Sequence, residues 1–159
     1  MEPITTRTAT LTDLDILLGF EQEIIRAERP FDPTLQDGHI NYYDVAQMIQ
    51  ALHIEVVVAV TNTEIIGSGY ARIEDSKIYM KHPKHAYLGF MYVKPEYRGK
   101  GVNQKVIAAL QQWAIPRGIT EFRLDVYHDN LPAIVAYEKA GFSKLLVEMR
   151  MNLSDRKSS

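Results

Sequence analysis

The strongest chemical signature in this sequence lies between Tyr92 and Leu110, in the run YVKPEYRGKGVNQKVIAAL. A strand ending at Val93 meets a turn holding Pro95, Gly99 and Gly101, and an amphipathic helix starts at Val102. Such an arrangement aims unpaired backbone N–H groups, and the positive end of the helix dipole, into one loop. Gly99 and Gly101 let that backbone approach a ligand closely. Across residues 94–105 the cations Lys94, Arg98, Lys100 and Lys105 meet a single acid, Glu96, for a local charge of +3. The chemistry that fits is the binding of an anion, above all a phosphate. Two common nucleotide loops do not match. A Walker A loop needs a Gly-Lys-Ser/Thr that is absent, and the dinucleotide fingerprint fails at Gln104, three residues after Gly101.

A second stretch, DNLPAIVAYEKAGF from Asp129 to Phe142, reads as a helix with Pro132 in its first turn. Asn130 stands where a helix N-cap stands. Tyr137 follows Ala133 by one helical turn and faces the same side. On its own, such a tyrosine reads as a core residue with a satisfied hydroxyl.

Together the two stretches resemble the GNAT superfamily of acyl-CoA-dependent N-acyltransferases. That family's loop signature is Gln/Arg-x-x-Gly-x-Gly/Ala, preceded by a strand and a Val-x-Pro-x-Tyr segment. Val93, Pro95 and Tyr97 match the lead-in, and Arg98 and Gly101 match the core. The final position departs from the pattern, being Asn103. Asn130, Ala133, Tyr137, Gly141 and Phe142 match the downstream motif Asn-x-x-Ala-x-x-x-Tyr-x-x-x-Gly-Phe. The resemblance covers residues 86–143.

The resemblance implies an α+β fold: a mixed, mostly antiparallel twisted sheet of six or seven strands flanked by about four helices. Strands ending near Val93 and starting near Glu121 would splay apart around a pantetheine arm. The implied activity is N-acetyl transfer from acetyl-CoA to a primary amine, a small amine or a peptide amino group, by direct attack in a ternary complex. Backbone groups of Met91, Tyr92 and Val93 would pair with pantetheine as an added strand does. The amides of Arg98, Gly99, Lys100, Gly101, Val102 and Asn103 would hold the pyrophosphate. Asn130 and Tyr137 would contact the cofactor. Tyr137 would also be the acid that protonates the departing thiolate.

The general base is open. Some family members place a glutamate on the strand before the loop, but here that strand is AYLGFMYV. Glu28, Glu74, His82, His85 and His128 are the alternatives, together with water chains. Asn103 and the missing glutamate keep a non-catalytic acyl-CoA sensor or interaction module as a second reading.

The elements that must position these residues follow from periodicity. Ile4 to Ala9 reads as a strand. Thr10 or Thr12 then caps a helix carrying Leu14, Leu17, Leu18, Ile24 and Ile25, with Glu21 as the exception in its apolar stripe. A second helical pattern runs from Tyr42 to Leu52. Glu55–Val60 and Glu64–Ile73 read as an antiparallel hairpin, the second strand interrupted by Gly67 and Gly69. Ala86–Val93, Glu121–Tyr127 and Phe142–Leu153 read as strands, and 102–114 and 131–139 as helices.

Composition sets the outer limits. The 159 residues suit one domain, 1–153, with 154–159 expected as a disordered tail. The absence of cysteine excludes disulfides, thiolate metal sites and a cysteine nucleophile. The longest strongly apolar run, Val56 to Val60, is far too short to cross a membrane, so a cytoplasmic protein without a membrane partner is expected. A net charge of −2 argues against a nucleic-acid partner, and the histidines lack metal-ligand spacing, so no metal is expected. Homodimerisation is left open.

The charge is divided: residues 1–60 hold three Lys/Arg against ten Asp/Glu, and residues 61–159 hold fifteen against ten. By resemblance, the first two helices and their loop, within residues 11–53, form one wall of the acceptor site. Glu21, Glu23, Glu28, Asp32, Asp37 and Asp44 there outnumber Arg26 and Arg29, and Phe31, Tyr42 and Tyr43 add aromatic surface. Such a wall favours a cationic amine over an acidic metabolite.

Overall fold

In a computed structural model of the chain, which describes residues 2–155, five strands form one sheet in sequence order. Strands β1 (Thr5–Thr8), β2 (Ile54–Val60), β3 (Ile65–Asp75) and β4 (Lys84–Val93) are antiparallel neighbours. A short β5 (Phe122–Arg123) runs parallel to β4. Helices α1 (Leu14–Glu28) and α2 (Val45–Gln50) cover one face, and α3 (Val102–Ala114) and α4 (Leu131–Lys139) the other. The α+β class is as expected, with five strands in place of six or seven.

The two-sided covering explains the β-branched run of β2. Val56 and Val58 pack with Leu17, Phe20 and Met48 on the α1 face, while Val57 and Ala59 pack with Val106 and Leu110 on the α3 face. A strand buried on both sides needs no polar alternation.

Two expected strands are cut down. Only Phe122 and Arg123 of the 121–127 stretch pair with a neighbour, and residues 143–152 form no strand at all. Both stretches have strand-like composition, but a strand exists only where a neighbouring backbone completes its ladder. Ser154 and Asp155, expected as the start of a disordered tail, close a short 3-10 turn from Leu153; residues 156–159 lie outside the described residues.

Gly67 and Gly69 do not interrupt β3. They lie inside it, under α3. A Cβ on Gly69 would come within 2.6 Å of Val106 Cγ1 and 2.7 Å of Met91 Sδ, so only glycine lets the helix lie this close to the sheet.

Opposite Gly69, β4 carries a bulge. Ser68 faces Tyr92 and Tyr70 faces Gly89, which leaves Phe90 and Met91 against one residue of β3. Phe90 has φ +56°, the one non-glycine positive φ among the described residues. Its ring is buried beside Tyr43, and its carbonyl accepts the Ser68 hydroxyl at 2.8 Å.

Glu21 does not join the acceptor wall. Its carboxylate is fully buried, and Oε2 accepts the backbone N–H groups of Tyr42 (2.8 Å) and Tyr43 (2.7 Å). The apparent flaw in the apolar stripe of α1 is therefore what pins the segment leading into α2. Replacing Glu21 with leucine leaves two buried donors unpaired, an expected loss of about 2–5 kcal/mol in urea unfolding. The control Leu52→Ala, at a side chain 96% exposed, should stay within about 0.5 kcal/mol. A loss below 1 kcal/mol for Glu21→Leu, on the order of a surface change, would show that the carboxylate holds nothing.

Candidate functional site

Between β4 and β5 the sheet opens. The two strands pair only at Ala86 with Phe122 and Tyr87 with Arg123. Beyond Tyr87, β4 keeps β3 on one side and has no strand on the other among the described residues. Met91, Tyr92 and Val93 lie on this open edge and are partly exposed. The ring of Tyr92 packs on Phe20, at 4.6 Å between centroids, while Met91 and Val93 lean toward α3. The free edge is the kind that an extended, amide-bearing ligand extends.

The loop after β4 leads into α3. A 3-10 turn over Pro95–Tyr97 uses the amides of Tyr97 (to Lys94 O, 2.9 Å) and Arg98 (to Pro95 O, 3.2 Å). The next amide with a backbone acceptor is that of Lys105, on Gly101 O at 3.2 Å. The amides from Gly99 to Gln104 thus have no acceptor among the described residues. Gly99 and Gly101 have φ of +78° and +77°, and Gly101 caps the helix in the left-handed region. No protein atom lies within 4 Å of where a Cβ on Gly101 would stand, so that atom would project into open space. Asn103 is the second helical residue, inside α3, and the cap position belongs to Gly101.

The loop's cations are not equivalent. Lys94 pairs with Glu64 at 2.7 Å, which holds the Glu64 carboxyl below its usual range. Arg98 Nε donates to Val93 O at 3.1 Å and braces the turn. Lys100 lies over the Tyr97 ring, 5.5 Å from its centroid. Arg98, Lys100 and Lys105 are left to complement an anion.

On α4, Asn130 acts as the N-cap, its side chain accepting from Ala133 N at 3.4 Å. Tyr137 packs edge-on to Phe142, with centroids 6.0 Å apart. Burial, helped by the charge of Glu28, pushes its phenol up to about 12. The hydroxyl stays protonated at neutral pH and is available as a donor.

Facing this helix is a cup of rings and acids. Glu28 ends α1 half-buried, and desolvation raises its carboxyl above the usual range. The Tyr42 hydroxyl is buried beside it and makes no regular hydrogen bond among the described residues. The Tyr127 hydroxyl donates to Asp32 at 2.6 Å, and its ring stacks on Phe31 at 6.1 Å. The Tyr87 hydroxyl donates to Asp125 at 3.0 Å. Burial raises the phenols of Tyr42, Tyr43, Tyr87 and Tyr127.

The structure sorts the expected acids. Glu28 and Asp32 belong to the cup. Glu23 pairs with Arg26 at 2.6 Å, Asp44 caps α2, and Asp37 lies exposed in the loop. Arg29 is held by the carbonyls of Gln36 (2.8 Å) and Gly38 (2.5 Å). Among the candidate bases, Glu74 pairs with Arg72, His85 with Ser76, His82 lies 3.7 Å from Glu121, and His128 is exposed beside Asp129. Glu28 is the one that the fold brings toward Tyr137.

Asp125 and Tyr127 escaped the sequence reading. Their signal was position: they follow the strand after the phosphate-loop helix, where strand ends tend to carry ligand-facing residues. Among the described residues no cluster of three or more His, Cys, Asp or Glu could hold a metal ion, and no helix is long and apolar enough to cross a membrane.

Comparison with known proteins fits this geometry. The chain is 40% identical over 58 residues to thialysine N-epsilon-acetyltransferase of Sus scrofa, a match covering 36% of this chain and 34% of that protein. The chain thus spans about a third of the length of that relative. It is 25% identical over 139 residues to aminoglycoside N(6')-acetyltransferase type 1 of Salmonella typhimurium, covering 87% of this chain and 90% of that protein. The fold is similar to that of a predicted acetyltransferase from Clostridium acetobutylicum, crystallised with acetyl-CoA, with a TM-score of 0.68 at 20% identity over 97% of this chain and 99% of that one. The sequence pattern described as Acetyltransferase (GNAT) family matches residues 22–142. That match takes in the second half of α1, the open edge of β4, the glycine loop and Tyr137, well over half of the chain, and this protein belongs to the Acetyltransferase (GNAT) family.

Proposed function

We propose that this protein transfers an acetyl group from acetyl-CoA to a primary amine on a cationic small molecule or peptide, within one ternary complex. The observation that carries the reading is the row of unpartnered amides from Gly99 to Gln104, which opens beside the free edge of β4. Two relatives are named as acetyltransferases of thialysine and of aminoglycosides, both amines, which supports the acceptor class.

The residues present fit such a cosubstrate. The amides of Gly99 to Gln104, with Arg98 and Lys100 near them, hold the pyrophosphate. Backbone groups of Met91, Tyr92 and Val93 pair with pantetheine along the β4 edge. When bound, the thioester supplies an electrophilic carbonyl carbon. Glu28 and Asp32 draw the ammonium into the aromatic cup. Glu28, its carboxyl raised by burial, takes the proton that the ammonium must lose. As the nitrogen bonds to the carbonyl carbon and the C–S bond breaks, Tyr137 gives its proton to sulfur and recovers one from nitrogen. The products are an amide and a thiol.

Three measurements test the reading. In calorimetric titration, acetyl-CoA should bind the wild-type protein, and Gly101→Val should weaken binding at least about tenfold, or 1.4 kcal/mol. The added methyls would enter the open space above the loop, but valine is strained at φ +77°, so a cooperative melt should persist at a lowered midpoint. No binding to the wild type sinks the proposal, and unchanged affinity in a folded Gly101→Val protein sinks this placement of the pyrophosphate.

Tyr137→Phe should keep acetyl-CoA affinity and lower kcat by roughly 10²–10⁴-fold, the usual worth of a general acid. Full activity in that variant would remove Tyr137 from the chemistry. Binding without turnover on any amine would favour the sensor reading.

The acceptor test rests on sign. A protonated Glu28 cannot take a proton, so kcat/KM should fall as pH drops through its raised pKa, above the ordinary carboxylate range. Glu28→Gln should flatten that acid limb and raise KM for a cationic amine roughly tenfold at low salt. A best substrate that is an acidic amino acid, or a rate indifferent to charge and salt, would overturn the electrostatic argument.

A further inference from the structure

The turn between β3 and β4 carries side chains that turns rarely carry. Ser76 N donates to Pro83 O at 2.8 Å and closes the loop. Met80 N donates to Lys77 O at 2.9 Å, which makes Ile78 and Tyr79 the corner residues. Glycine, asparagine, aspartate and proline suit such corners. Here they are a β-branched aliphatic and an aromatic residue, and neither folds back on the protein. Ile78 is 102% exposed, Tyr79 71% and Met80 38%. Three consecutive exposed apolar side chains serve no packing within the chain and mark a contact surface.

The charge around this tip has one sign. Residues 76–83 hold Lys77 and Lys81 and no acid. Among the described residues neither lysine pairs with a carboxylate. Lys77 lies over the Tyr79 ring, 5.9 Å from its centroid. The nearby acids are already engaged: Asp75 holds Lys84 at 2.5 Å, and Glu121 holds Arg123 at 3.2 Å and lies 3.7 Å from His82. A cleft of about 220 Å³ behind the turn is lined by Ser76, Met80, Lys81, His82, Glu121 and Arg123, so basic side chains continue below the apolar tip.

We propose that this turn docks on an anionic lipid surface, with Ile78, Tyr79 and Met80 entering the boundary between headgroups and acyl chains and Lys77 and Lys81 resting on the lipid phosphates. Shape favours this occupant. A fully exposed side chain at a turn corner is convex, and a bilayer yields around a convex tip where a folded partner needs a matching socket. The chemistry agrees, since tyrosine and lysine each place an apolar stem in the boundary and a polar end among the headgroups. An acidic protein or a nucleic acid would use the lysines and leave Ile78 in water. The short apolar runs, from which no membrane partner is expected, bar only a spanning segment, and a surface contact needs none. β4 runs ten residues from this turn toward the glycine loop, about 30 Å, so the amide row stays in water when the tip is docked. Two lysines and three apolar side chains make a reversible contact that salt weakens.

Co-sedimentation of the full chain with vesicles is the first test. The wild-type protein should pellet with vesicles of equal parts phosphatidylglycerol and phosphatidylcholine, and far less with phosphatidylcholine alone or in high salt. Ile78→Asp with Tyr79→Asp should abolish pelleting, and Lys77→Gln with Lys81→Gln should weaken it about thirtyfold. These side chains are exposed, so the far-ultraviolet spectrum and thermal midpoint of both variants should match the wild type. A wild type that stays in the supernatant, variants that pellet like it, or equal pelleting with phosphatidylcholine alone would overturn the proposal. Emission separates insertion from charge attraction. In Tyr79→Trp the added indole should shift to the blue on binding and be quenched by brominated acyl chains, while Trp113 on α3 of the wild type should not respond. Unshifted emission from bound Tyr79→Trp, or equal capture of the wild type by immobilised polyglutamate, would mean a charged partner in place of a lipid boundary and would equally overturn the docking.

Discussion

Phe90 and Met91 lie opposite Gly69 alone, and this extra residue turns the end of β4 away from the line of the sheet. Holding Phe90 at positive φ costs on the order of 1–2 kcal/mol. Burial of its ring against Tyr43 and the hydrogen bond from Ser68 offset that cost. Pairing of β4 with the two-residue β5 stops after Tyr87, ahead of the bulge, and the backbone from there to Val93 keeps a free edge. Continuous pairing of the two strands would leave no cleft. The amide row, the aromatic cup and Tyr137 all lie around the opening between β4 and β5.

The glycine loop depends on the same place. Gly69 faces the bulge and also admits α3, whose Val106 lies where any Cβ would stand. The close approach fixes the helix against the sheet, with Val102 and Val106 buried at its start. The first turn of α3 therefore sits at the end of β4, and the short link must turn sharply, which Gly99 and Gly101 allow at positive φ. Six amides are left without acceptors because they belong neither to the 3-10 turn nor to the helix ladder. A helix free to slide on the sheet would not hold them over the cleft.

Two glutamates of α1 illustrate how burial decides role. Glu21 is fully buried and spends its carboxylate on two backbone amides that would otherwise be orphaned. Glu28, two turns later, is half-buried beside a phenol instead of a row of amides, so burial raises its carboxyl above the usual range. The tyrosines around it stay neutral for the same reason, their phenols raised by loss of water. The cup is thus apolar in body and anionic at Glu28, Asp32 and Asp125, a combination suited to an ammonium group on an apolar stem.

The sequence by itself determined the elements with strong periodicity and the chemistry of contiguous motifs. The helices 102–114 and 131–139 were legible because apolar spacing and Pro/Gly punctuation are local properties. The loop was legible because free amides, glycines and cations lie within a dozen residues. Tertiary structure decided whatever depends on a partner distant in the chain. Residues 124–127 and 143–152 have the composition of strands, but a ladder needs a neighbour, and none completes theirs in one chain. Glu21 and Glu28 look alike in sequence, two turns apart on one helix face, and only packing sends the first inward to Tyr42 and Tyr43 and the second toward Tyr137. The pairing of Tyr127 with Asp32, 95 residues apart, lies outside any local pattern. Local propensity fixes which backbone shapes are cheap; long-range pairing and desolvation fix which of them persist and what their side chains can do.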